Sequence, residues 1–378
     1  MTDTLSDSRT TSRMFTEDVP VVVEDVPRRS PTERAELLAD PGFGRFFTDS
    51  MFVARYRAGE GWYDARLTGY GPLPMDPATA ALHYAQSIFE GLKAYAQPDG
   101  SVATFRPEAN AARFVRGAKR LAMPPVPAEA FIAAVDTLVD ADRDWVPTGP
   151  DQTLYLRPYQ LATEPFLGVR PAHEYLFLVI ASPAGAYFPR GVHPVSVYLS
   201  EDYIRAAPGG TGDVKCAGNY AASLLAQEQA IDAGCDQVVW LDAVERRYVE
   251  EMGGMNLFFV SEGGTRLMTP ALTGTLLPGV VRDSLLQLAP ELGLTVEEGR
   301  ISVDDWRKGA EDGSLTEVFA CGTAAVIAPV GAARSRSGDW SMGDGGSGAV
   351  TMRLREALLD LQYGRREDPH GWMRRVGD

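Results

Sequence analysis

Three residues in the second half of this 378-residue chain are of types and spacing that could carry chemistry together. Lys215 lies in GGTGDVKCAGNYAAS, framed by glycines, and Tyr220 follows five residues later. Glu251 precedes GGMN in RRYVEEMGGMNLFFV, where an apolar strand begins. A lysine amine can form a Schiff base, a tyrosine hydroxyl can hydrogen-bond a ring oxygen, and a carboxylate can keep a pyridine nitrogen protonated. These groups predict a pyridoxal phosphate site.

A second group of residues could hold the phosphate of such a cofactor. A Pro-Gly pair directly precedes the amphipathic helix VVRDSLLQLA, so the backbone N–H groups of Val280 and Val281 could face an anion. Arg113, in ANAARFVRGAKRL, could supply a guanidinium, and Thr323, in CGTAAV, a hydroxyl. Each motif also fits a structural role: an ordinary helix start, a surface arginine, or a strand-to-turn junction.

The same alternatives exist for the lysine and the glutamate. Most lysines are solvated surface charges, but burial beside the apolar stripe that follows Lys215 would favour its neutral, nucleophilic form. Asn219 is predicted to cap the helix after the lysine, and Gly234 to end it. A structural arginine could pair with the glutamate instead of a pyridine. Neighbouring strand residues face opposite sides, so only one of Glu250 and Glu251 should point inward.

Composition and charge narrow the classes of function. The 36 Lys and Arg residues against 51 Asp and Glu residues give a net charge of −15, which argues against binding of nucleic acid. The three cysteines form no CxxC pair and the four histidines are scattered, so no disulfide framework and no metal site is predicted. The chain begins without the apolar core of a secretory signal, and no apolar run approaches membrane-spanning length. We therefore expect a cytoplasmic protein.

The periodicity of apolar residues predicts a mixed α and β fold (α+β). MFVARYRAGEGWYDARL predicts an antiparallel hairpin turning at Gly59–Gly61, and EYLFLVIASP a central strand. Helices are predicted in PEANAARFVRGAKRLA and AEAFIAAVDTLVDADRDWV. The second half alternates the strands QVVWLD, NLFFV and TEVFAC with the helices YAASLLAQEQAIDAG and VVRDSLLQLAPELG.

The length of the chain and its Pro/Gly punctuation predict two domains. We expect a mobile arm over residues 1–35, a small α/β domain over 36–182, an interdomain loop over 183–195, and a large domain carrying the lysine over 196–378.

Taken in order, nine segments resemble the branched-chain aminotransferases, which are pyridoxal phosphate enzymes of fold type IV with the two-domain D-amino-acid-aminotransferase-like fold. The similarity covers nearly the whole chain and is greatest to the actinobacterial members. The segments are LHYAQSIFEGLKAY, FRPEANAARF, LYLRPY, EPFLGV, SPAGAYF, GDVKCAGNYAAS, EEMGGMNLFFV, LLPGVVRDS and FACGTAAV.

The resemblance implies a role for each cofactor-binding residue. Lys215 would form the Schiff base and carry the proton, Tyr220 would hydrogen-bond the ring oxygen, and Glu251 would bind the pyridine nitrogen. The phosphate would be held by Arg113, Thr323 and the N–H groups of Val280 and Val281, with Arg205 nearby.

The resemblance also implies the substrate pocket and a homodimer. Arg157 would recognise the far carboxylate of glutamate, and Leu167 and Val169 would come from the partner subunit. The pocket itself would be lined by Phe43, Tyr84, Phe89, Tyr155, Tyr187 and the backbones of Gly254 and Ala324. From the residues alone, the tyrosines could equally be core or interface packing.

The implied activity is transamination of leucine, isoleucine or valine with 2-oxoglutarate. A D-amino-acid aminotransferase or aminodeoxychorismate lyase of the same fold would reuse Lys215 and Glu251. A cofactor-free Schiff-base aldolase would need the lysine without the phosphate site, and a non-catalytic binding protein would tolerate its loss. Two departures from mammalian members matter: Ala325 and Ala328 replace a CxxC thiol pair, and Gly254 replaces a threonine, which would widen the pocket.

Overall fold

The computed structural model describes residues 13–188 and 191–377. Within these ranges the chain forms helices and strands in a mixed order. The helices are α1 (Pro31–Ala39), α2 (Ala80–Tyr84), α3 (Pro107–Arg120), α4 (Ala128–Ala141), α5 (Ala217–Ala221), α6 (Leu224–Asp232), α7 (Val280–Glu291), α8 (Val303–Asp312) and α9 (Ala349–Gln362), with short 3-10 turns at Arg143–Trp145 and Glu262–Gly264.

A nine-stranded sheet occupies most of the first half of the chain. Its main path runs β20-β8-β7-β9-β10-β4-β5-β3, and β6 pairs with β9. A separate two-stranded ribbon, β1 and β2, precedes it. The strands are β1 (Met14–Thr16), β2 (Val19–Pro20), β3 (Val22–Val23), β4 (Ser50–Arg57), β5 (Gly61–Gly69), β6 (Ser87–Phe89), β7 (Leu92–Ala96), β8 (Val102–Phe105), β9 (Thr153–Ala162), β10 (Glu174–Ala184) and β20 (Met373–Arg375).

A second nine-stranded sheet contains the remaining strands, in the order β13-β12-β11-β18-β17-β14-β15-β16, with β19 paired to β18. Since β13 also pairs with β14, the path β13-β12-β11-β18-β17-β14 returns to its start and closes a six-stranded barrel. The strands are β11 (Val195–Ser200), β12 (Gln237–Leu241), β13 (Val249–Met252), β14 (Met255–Ser261), β15 (Arg266–Pro270), β16 (Thr295–Gly299), β17 (Leu315–Gly322), β18 (Val326–Arg334) and β19 (Trp340–Ser341).

Each sheet has its own apolar core. Phe52, Phe114, Phe131 and Phe177 are fully buried between the first sheet and helices α3 and α4. The barrel strands bury a separate cluster around Phe259 and two tryptophans of α8 and β19. Complete burial of one such side chain contributes roughly 1.5–3 kcal/mol. These cores fix α3 and β13, the elements that carry two of the predicted site residues.

The predicted hairpin is found, because β4 and β5 are antiparallel and joined at Gly59–Gly61. The prediction of a mobile N-terminal arm does not hold for the part of residues 1–35 that the structure describes. Residues 1–12 lie outside the described residues, but from Arg13 onward the chain forms β1 to β3 and α1. Phe15 is 2% exposed and packs on Phe52 at 5.3 Å, so it belongs to the first core.

The loop predicted over residues 183–195 matches the gap between the two sheets, since β10 ends at Ala184 and β11 begins at Val195. The C-terminal segment does not follow the predicted boundary, because β20 pairs with β8 of the first sheet. The division into two domains therefore stays a prediction, with Met373–Arg375 as an exception to it. None of the helices in the described ranges is long and apolar enough to cross a membrane.

Candidate active site

Lys215 lies where the two sheets meet. It immediately precedes α5, whose N-cap is Cys216, and its carbonyl oxygen accepts a hydrogen bond from Phe89 N at 3.0 Å. Phe89 belongs to β6 of the first sheet, and Ile88 forms an isolated bridge with Cys216. The backbone around the lysine is thus held by β6 of the first sheet. Its Nζ donates to the hydroxyl of Tyr220 at 2.7 Å.

The protonation of Lys215 suits a nucleophile. Burial and the positive charge of Arg113 together lower the pKa of Lys215 to about 8, against the opposing charges of Glu90 and Tyr155. A substantial fraction of the amine is therefore neutral in mildly alkaline solution. Neutral amine is the form that attacks a carbonyl carbon.

Tyr220 is held as a protonated hydroxyl. Burial and the negative charge of Glu251 together raise the pKa of Tyr220 to about 12. Its ring meets Phe89 edge-on at 4.7 Å. A Cβ at Gly254 would lie 3.6 Å from Tyr220 Cε1, so this glycine borders the tyrosine, as predicted for a pocket residue.

Glu251 is buried on β13, with 1% of its surface exposed. Its Oε1 accepts a hydrogen bond from the backbone N–H of Leu277. Its Oε2 lies 3.1 Å from Arg205 Nε, although that nitrogen is not aligned for a hydrogen bond. Burial raises the pKa of Glu251 to about 7, against the charges of Arg205 and Lys215. The carboxylate is incompletely compensated and can accept a further cation.

The two neighbouring glutamates have different environments, as the strand pattern predicts. Glu250 accepts a hydrogen bond from Thr275 Oγ1 at 2.5 Å, and it borders a separate cavity of about 350 Å³. Glu251 borders a cavity of about 330 Å³ together with Tyr220 and Gly254. Only Glu251 therefore shares a cavity with the tyrosine.

Arg205 lies at the glutamate rather than among the phosphate-binding groups. Its Nη2 donates to the carbonyl oxygens of Gly212 and Thr275, at 2.8 and 2.5 Å. The prediction placed it near the phosphate, whereas the structure places it beside Glu251, in the lining of the same cavity. Its Nε makes no hydrogen bond with the carboxylate, so the pairing with Glu251 is incomplete.

Arg113 projects from α3 toward the N-terminus of α7. Its Nε and Nη2 donate to the two oxygens of Glu90 at 2.7 and 2.8 Å, and its Nη1 donates to Pro278 O at 3.0 Å. These contacts use three of the five N–H donors of a guanidinium. Two donors are left for an anion at the start of α7.

The other predicted phosphate groups lie together at the same end. Val280 and Val281 are the first residues of α7, so their N–H groups have no intrahelical partner. Both line a small cavity of about 10 Å³ with Thr323. At the N-cap residue Gly279, an added Cβ would lie 2.2 Å from Asn256 Oδ1, so only glycine permits this approach.

Glu90 is a residue that the sequence analysis did not select. It is completely buried, and besides Arg113 it accepts hydrogen bonds from Asn110 Nδ2 at 2.8 Å and Gly91 N at 3.2 Å. Burial alone would raise the pKa of Glu90, but the charges of Arg113 and Lys215 hold it below its ordinary value. The available signal was a lone carboxylate inside the apolar run SIFEGLKAY.

Four of the predicted pocket residues form one cluster around the lysine. The rings of Phe43 and Tyr155 lie 5.0 Å apart, and Arg157 Nη2 donates to Tyr155 Oη at 3.1 Å. The Arg157 guanidinium lies 4.9 Å from the centre of the Phe89 ring, and so does Lys215 Nζ. An apolar wall with one cation is therefore assembled next to the amine.

Four other predicted pocket residues are exposed at the surface: Tyr84, Leu167, Val169 and Tyr187. Tyr84 Oη donates to Leu167 O at 2.6 Å, while Leu167 and Val169 are 76% and 92% exposed. Tyr187 is 41% exposed, and its ring packs on Phe188. That these residues complete a site in a second subunit stays a prediction.

The predicted capping role of Asn219 is wrong. It lies inside α5, and its Nδ2 donates to the carbonyl oxygens of Thr211 and Val214 at 2.7 and 2.8 Å. The side chain therefore ties the loop before Lys215 to the helix after it, through contacts five and eight residues back along the chain. Gly234 follows α6 with a φ of 72°, as expected for the end of a helix.

Comparison with known proteins identifies the family of this chain. The family model for amino-transferase class IV matches residues 87–333. A probable branched-chain-amino-acid aminotransferase of Streptomyces coelicolor is 61% identical over 91% of this chain and 95% of its own length. A branched-chain-amino-acid aminotransferase of Mycolicibacterium smegmatis is 58% identical over 91% and 94%.

Solved structures agree as well. The branched-chain amino acid aminotransferase of Escherichia coli has a TM-score of 0.73 and 29% identity, over 87% of this chain and 99% of that one. The T.th. branched-chain amino acid aminotransferase with pyridoxamine 5'-phosphate has a TM-score of 0.71 and 30% identity, over 86% and 98%. These matches confirm the predicted mixed α and β (α+β) fold of type IV, and the chain belongs to the class IV aminotransferase family.

Proposed function

We propose that this aminotransferase uses pyridoxal phosphate to transfer the amino group of L-leucine, L-isoleucine or L-valine to 2-oxoglutarate. The observation that carries the proposal is the Lys215–Tyr220 hydrogen bond of 2.7 Å beside a cavity that Tyr220 shares with the buried Glu251. The substrate class is supported by relatives at 58–61% identity that are named for it.

The donor set of the site fits the cofactor at both ends. A buried carboxylate whose pKa is raised to about 7 suits a protonated pyridine nitrogen, which would supply the missing positive charge. The two unused donors of Arg113 and the first N–H groups of α7 suit a phosphate dianion. When bound, pyridoxal phosphate supplies an electron sink for the charge left at the α-carbon.

Three of the protein's own residues then have separate roles. Lys215 would hold the cofactor, and its amine, when free, would carry the proton that leaves the α-carbon of the substrate. Tyr220 would donate a hydrogen bond to the ring oxygen and keep the ring oriented. Glu251 would keep the ring nitrogen protonated, so that charge is stabilised where it develops.

The pocket residues explain how one site could accept two different substrate side chains. The apolar wall of Phe43, Phe89 and Tyr155 suits a branched aliphatic group. Arg157, stacked on Phe89, offers its guanidinium to the far carboxylate of glutamate. One pocket can therefore serve both halves of the exchange.

We also propose a homodimer in the cytoplasm. The exposed apolar residues Leu167 and Val169, anchored at Tyr84, are suited to a partner's pocket, because isolated exposed side chains of this size gain free energy on burial. The three cysteines are unpaired, which suits a reducing compartment. Sedimentation equilibrium on the parent and on the L167D/V169D variant tests the dimer.

The substrate assignment is tested by comparing L-leucine with D-alanine as amino donors to 2-oxoglutarate. We expect activity with L-leucine. Preference for D-alanine would favour a D-amino-acid aminotransferase, and pyruvate formation from aminodeoxychorismate would favour a lyase. Borohydride reduction followed by peptide mapping should place the cofactor on Lys215. A protein that takes up no pyridoxal phosphate would contradict the proposal and favour a cofactor-free aldolase.

A further inference from the structure

The cavity that Glu250 borders is separate from the cofactor site. Its volume is about 350 Å³, and it is lined by the turn between β12 and β13 and by the segment that links β15 to α7. Val244, in that turn, also lines it and is 76% exposed, so the cavity is reachable from solvent. A concave space of this volume is large enough for a small molecule.

Most charged groups in the lining of this cavity are already engaged. Arg300 Nη2 donates to Glu245 Oε1 at 2.7 Å, and the guanidinium lies 3.5 Å from the centre of the Tyr248 ring. The Asp242 carboxylate accepts hydrogen bonds from four backbone N–H groups of its own turn. The carboxylate that differs from these is Glu250.

Glu250 is buried and only half paired. It is 6% exposed, and its Oε1 accepts the hydrogen bond from Thr275 Oγ1 at 2.5 Å. Its Oε2 is buried and has no hydrogen-bond partner among the residues that the structure describes. Burial raises the pKa of Glu250, against the hydrogen bond from Thr275 and the charge of Arg205. A buried carboxylate with an unused oxygen is stabilised when a cationic donor reaches it.

The hydrogen bond between Thr275 and Glu250 connects this cavity to the cofactor site. The carbonyl oxygen of Thr275 accepts a hydrogen bond from Arg205 Nη2, and Leu277 N, two residues further on, donates to Glu251. Arg205 and Leu277 both line the cavity that contains Glu251. A ligand that draws Glu250 away from Thr275 would therefore alter the surroundings of the carboxylate proposed to bind the ring nitrogen.

We propose that this cavity is a regulatory site for a small organic cation, whose charged head pairs with Glu250 and whose occupancy changes turnover at Lys215. The apolar side chains of Val249, Pro270 and Leu276 form the walls against which the body of such a molecule packs. Binding at this site is independent of which amino acid the enzyme accepts. Its effect on turnover rests on the proposed function.

The test uses benzamidine and calorimetry of the cofactor-loaded enzyme. Benzamidine joins an apolar ring to an amidinium that can donate two parallel hydrogen bonds to a carboxylate. Primary amines are unsuitable probes because they react with pyridoxal phosphate itself. We expect one benzamidine to bind per chain. Benzamide has nearly the same shape without the charge, and its affinity should be lower by about 10-fold or more.

Two variants locate the bound benzamidine. E250Q removes the negative charge at nearly constant volume and should weaken benzamidine binding by about 10-fold or more. E36Q, at an exposed glutamate of α1, is the matched control and should bind as the parent does. A271F leaves Glu250 in place but fills the cavity with a ring, so it should also weaken binding. This second variant keeps the test decisive if E250Q does not fold.

Steady-state kinetics test the connection to the cofactor site. Saturating benzamidine should change the kcat of the parent enzyme with L-leucine by about 3-fold or more. The KM for L-leucine should stay within about 2-fold, because the cavity is separate from the substrate pocket. The change in kcat should be absent in E250Q and present in E36Q.

Several results would overturn the inference. The site is refuted if benzamidine does not bind, if benzamide binds equally well, or if either folded variant keeps the parent's affinity. A rise in KM alone would place benzamidine in the substrate pocket, and an unchanged kcat would refute the regulatory role. Failure of the proposed function is distinguishable, because it appears without benzamidine as lack of activity with L-leucine. The kinetic comparison then uses whichever amino acid the parent accepts.

Discussion

Two buried glutamate–arginine pairs lie at opposite ends of the site, and they differ in how completely each carboxylate is compensated. Glu90 accepts a bidentate pair of hydrogen bonds from Arg113 and further hydrogen bonds from Asn110 and Gly91, and its pKa is lowered. Glu251 has one backbone donor and an unaligned arginine, and its pKa is raised to about 7.

The difference separates a structural pair from a ligand-binding one. A fully satisfied pair gains nothing from another cation, so Glu90 serves to orient Arg113 toward α7. An under-compensated buried carboxylate is costly by itself and is relieved when a cation arrives. This contrast supports the proposal that Glu251 would bind the ring nitrogen, whereas Glu90 would support Arg113 as a ligand of the phosphate.

The largest expected effect comes from removing Lys215, whose positive charge acts on both carboxylates. K215A should lower turnover by about 10⁴-fold or more, because it removes the nucleophile and the proton carrier together. Steady-state assay with L-leucine measures the loss, while cofactor retention on gel filtration should persist through the Arg113 end. Turnover close to that of the K119A control would contradict the role of Lys215.

Neutralising the two glutamates should produce different defects. E251Q should lower kcat by about 10²–10³-fold without destabilising the protein, because an amide cannot keep the ring nitrogen protonated and leaves no buried charge. E90Q should cost about 3–5 kcal/mol of stability, since Arg113 is left as a buried unpaired charge. Enzyme assay and urea unfolding of both variants measure the contrast. Equal profiles for E251Q and E90Q would remove the distinction between the pairs.

R113A should weaken cofactor binding by about 10- to 100-fold, because a charge-assisted contact to phosphate is lost. Fluorescence titration of the cofactor-free protein with pyridoxal phosphate measures the affinity. R116A, an exposed arginine on the same helix, is the control. An affinity equal to that of the control would end the assignment of Arg113 to the phosphate.

The smallest effect is in the pH dependence of stability without cofactor. The folded pKa of Glu251, about 7, is raised above the ordinary 4.5, so the folded protein binds more protons than the unfolded chain between these values. Stability should therefore fall as pH rises from about 4.5 to 7, by about 3 kcal/mol at most. Glu90 has the opposite sign, and its contribution is lost as pH falls through its lowered pKa.

Urea unfolding at pH 5 and pH 8 checks this dependence. E251Q should lack the loss toward pH 8, and saturating pyridoxal phosphate should abolish it in the parent, because a cation then faces the carboxylate. An identical pH dependence in the parent and in E251Q would show that another group is responsible.

Local patterns predicted much of the fold and part of the site. The hairpin at Gly59–Gly61 follows from strand alternation around glycines, and the α7 start from a Pro-Gly pair before an amphipathic run. Barrel closure through β13 and β14 could not be predicted, since it depends on strand pairing around a whole ring. The spacing around Lys215 suggested its chemistry without indicating which distant residues surround it.

Glu90 and Arg205, which sequence reasoning missed or misplaced, depend on contacts between distant parts of the chain. Glu90 meets Arg113 only after β6 and α3 pack together, and Arg205 reaches Glu251 only because the loop before Lys215 folds over the barrel. Asn219 has the residue type of a helix cap but is used within α5. Side-chain type predicted the chemistry of each group, and tertiary packing decided its partner.

The return of β20 to the first sheet has a consequence for biosynthesis. Met373–Arg375 covers the outer edge of β8, with flanking backbone hydrogen bonds from Arg106 N to Trp372 O and from Val376 N to Val102 O at 2.7 and 2.9 Å. While the ribosome is still translating the barrel, that edge is open to pairing with another nascent chain. The strand that covers this edge therefore comes from the end of the described residues, after the barrel strands.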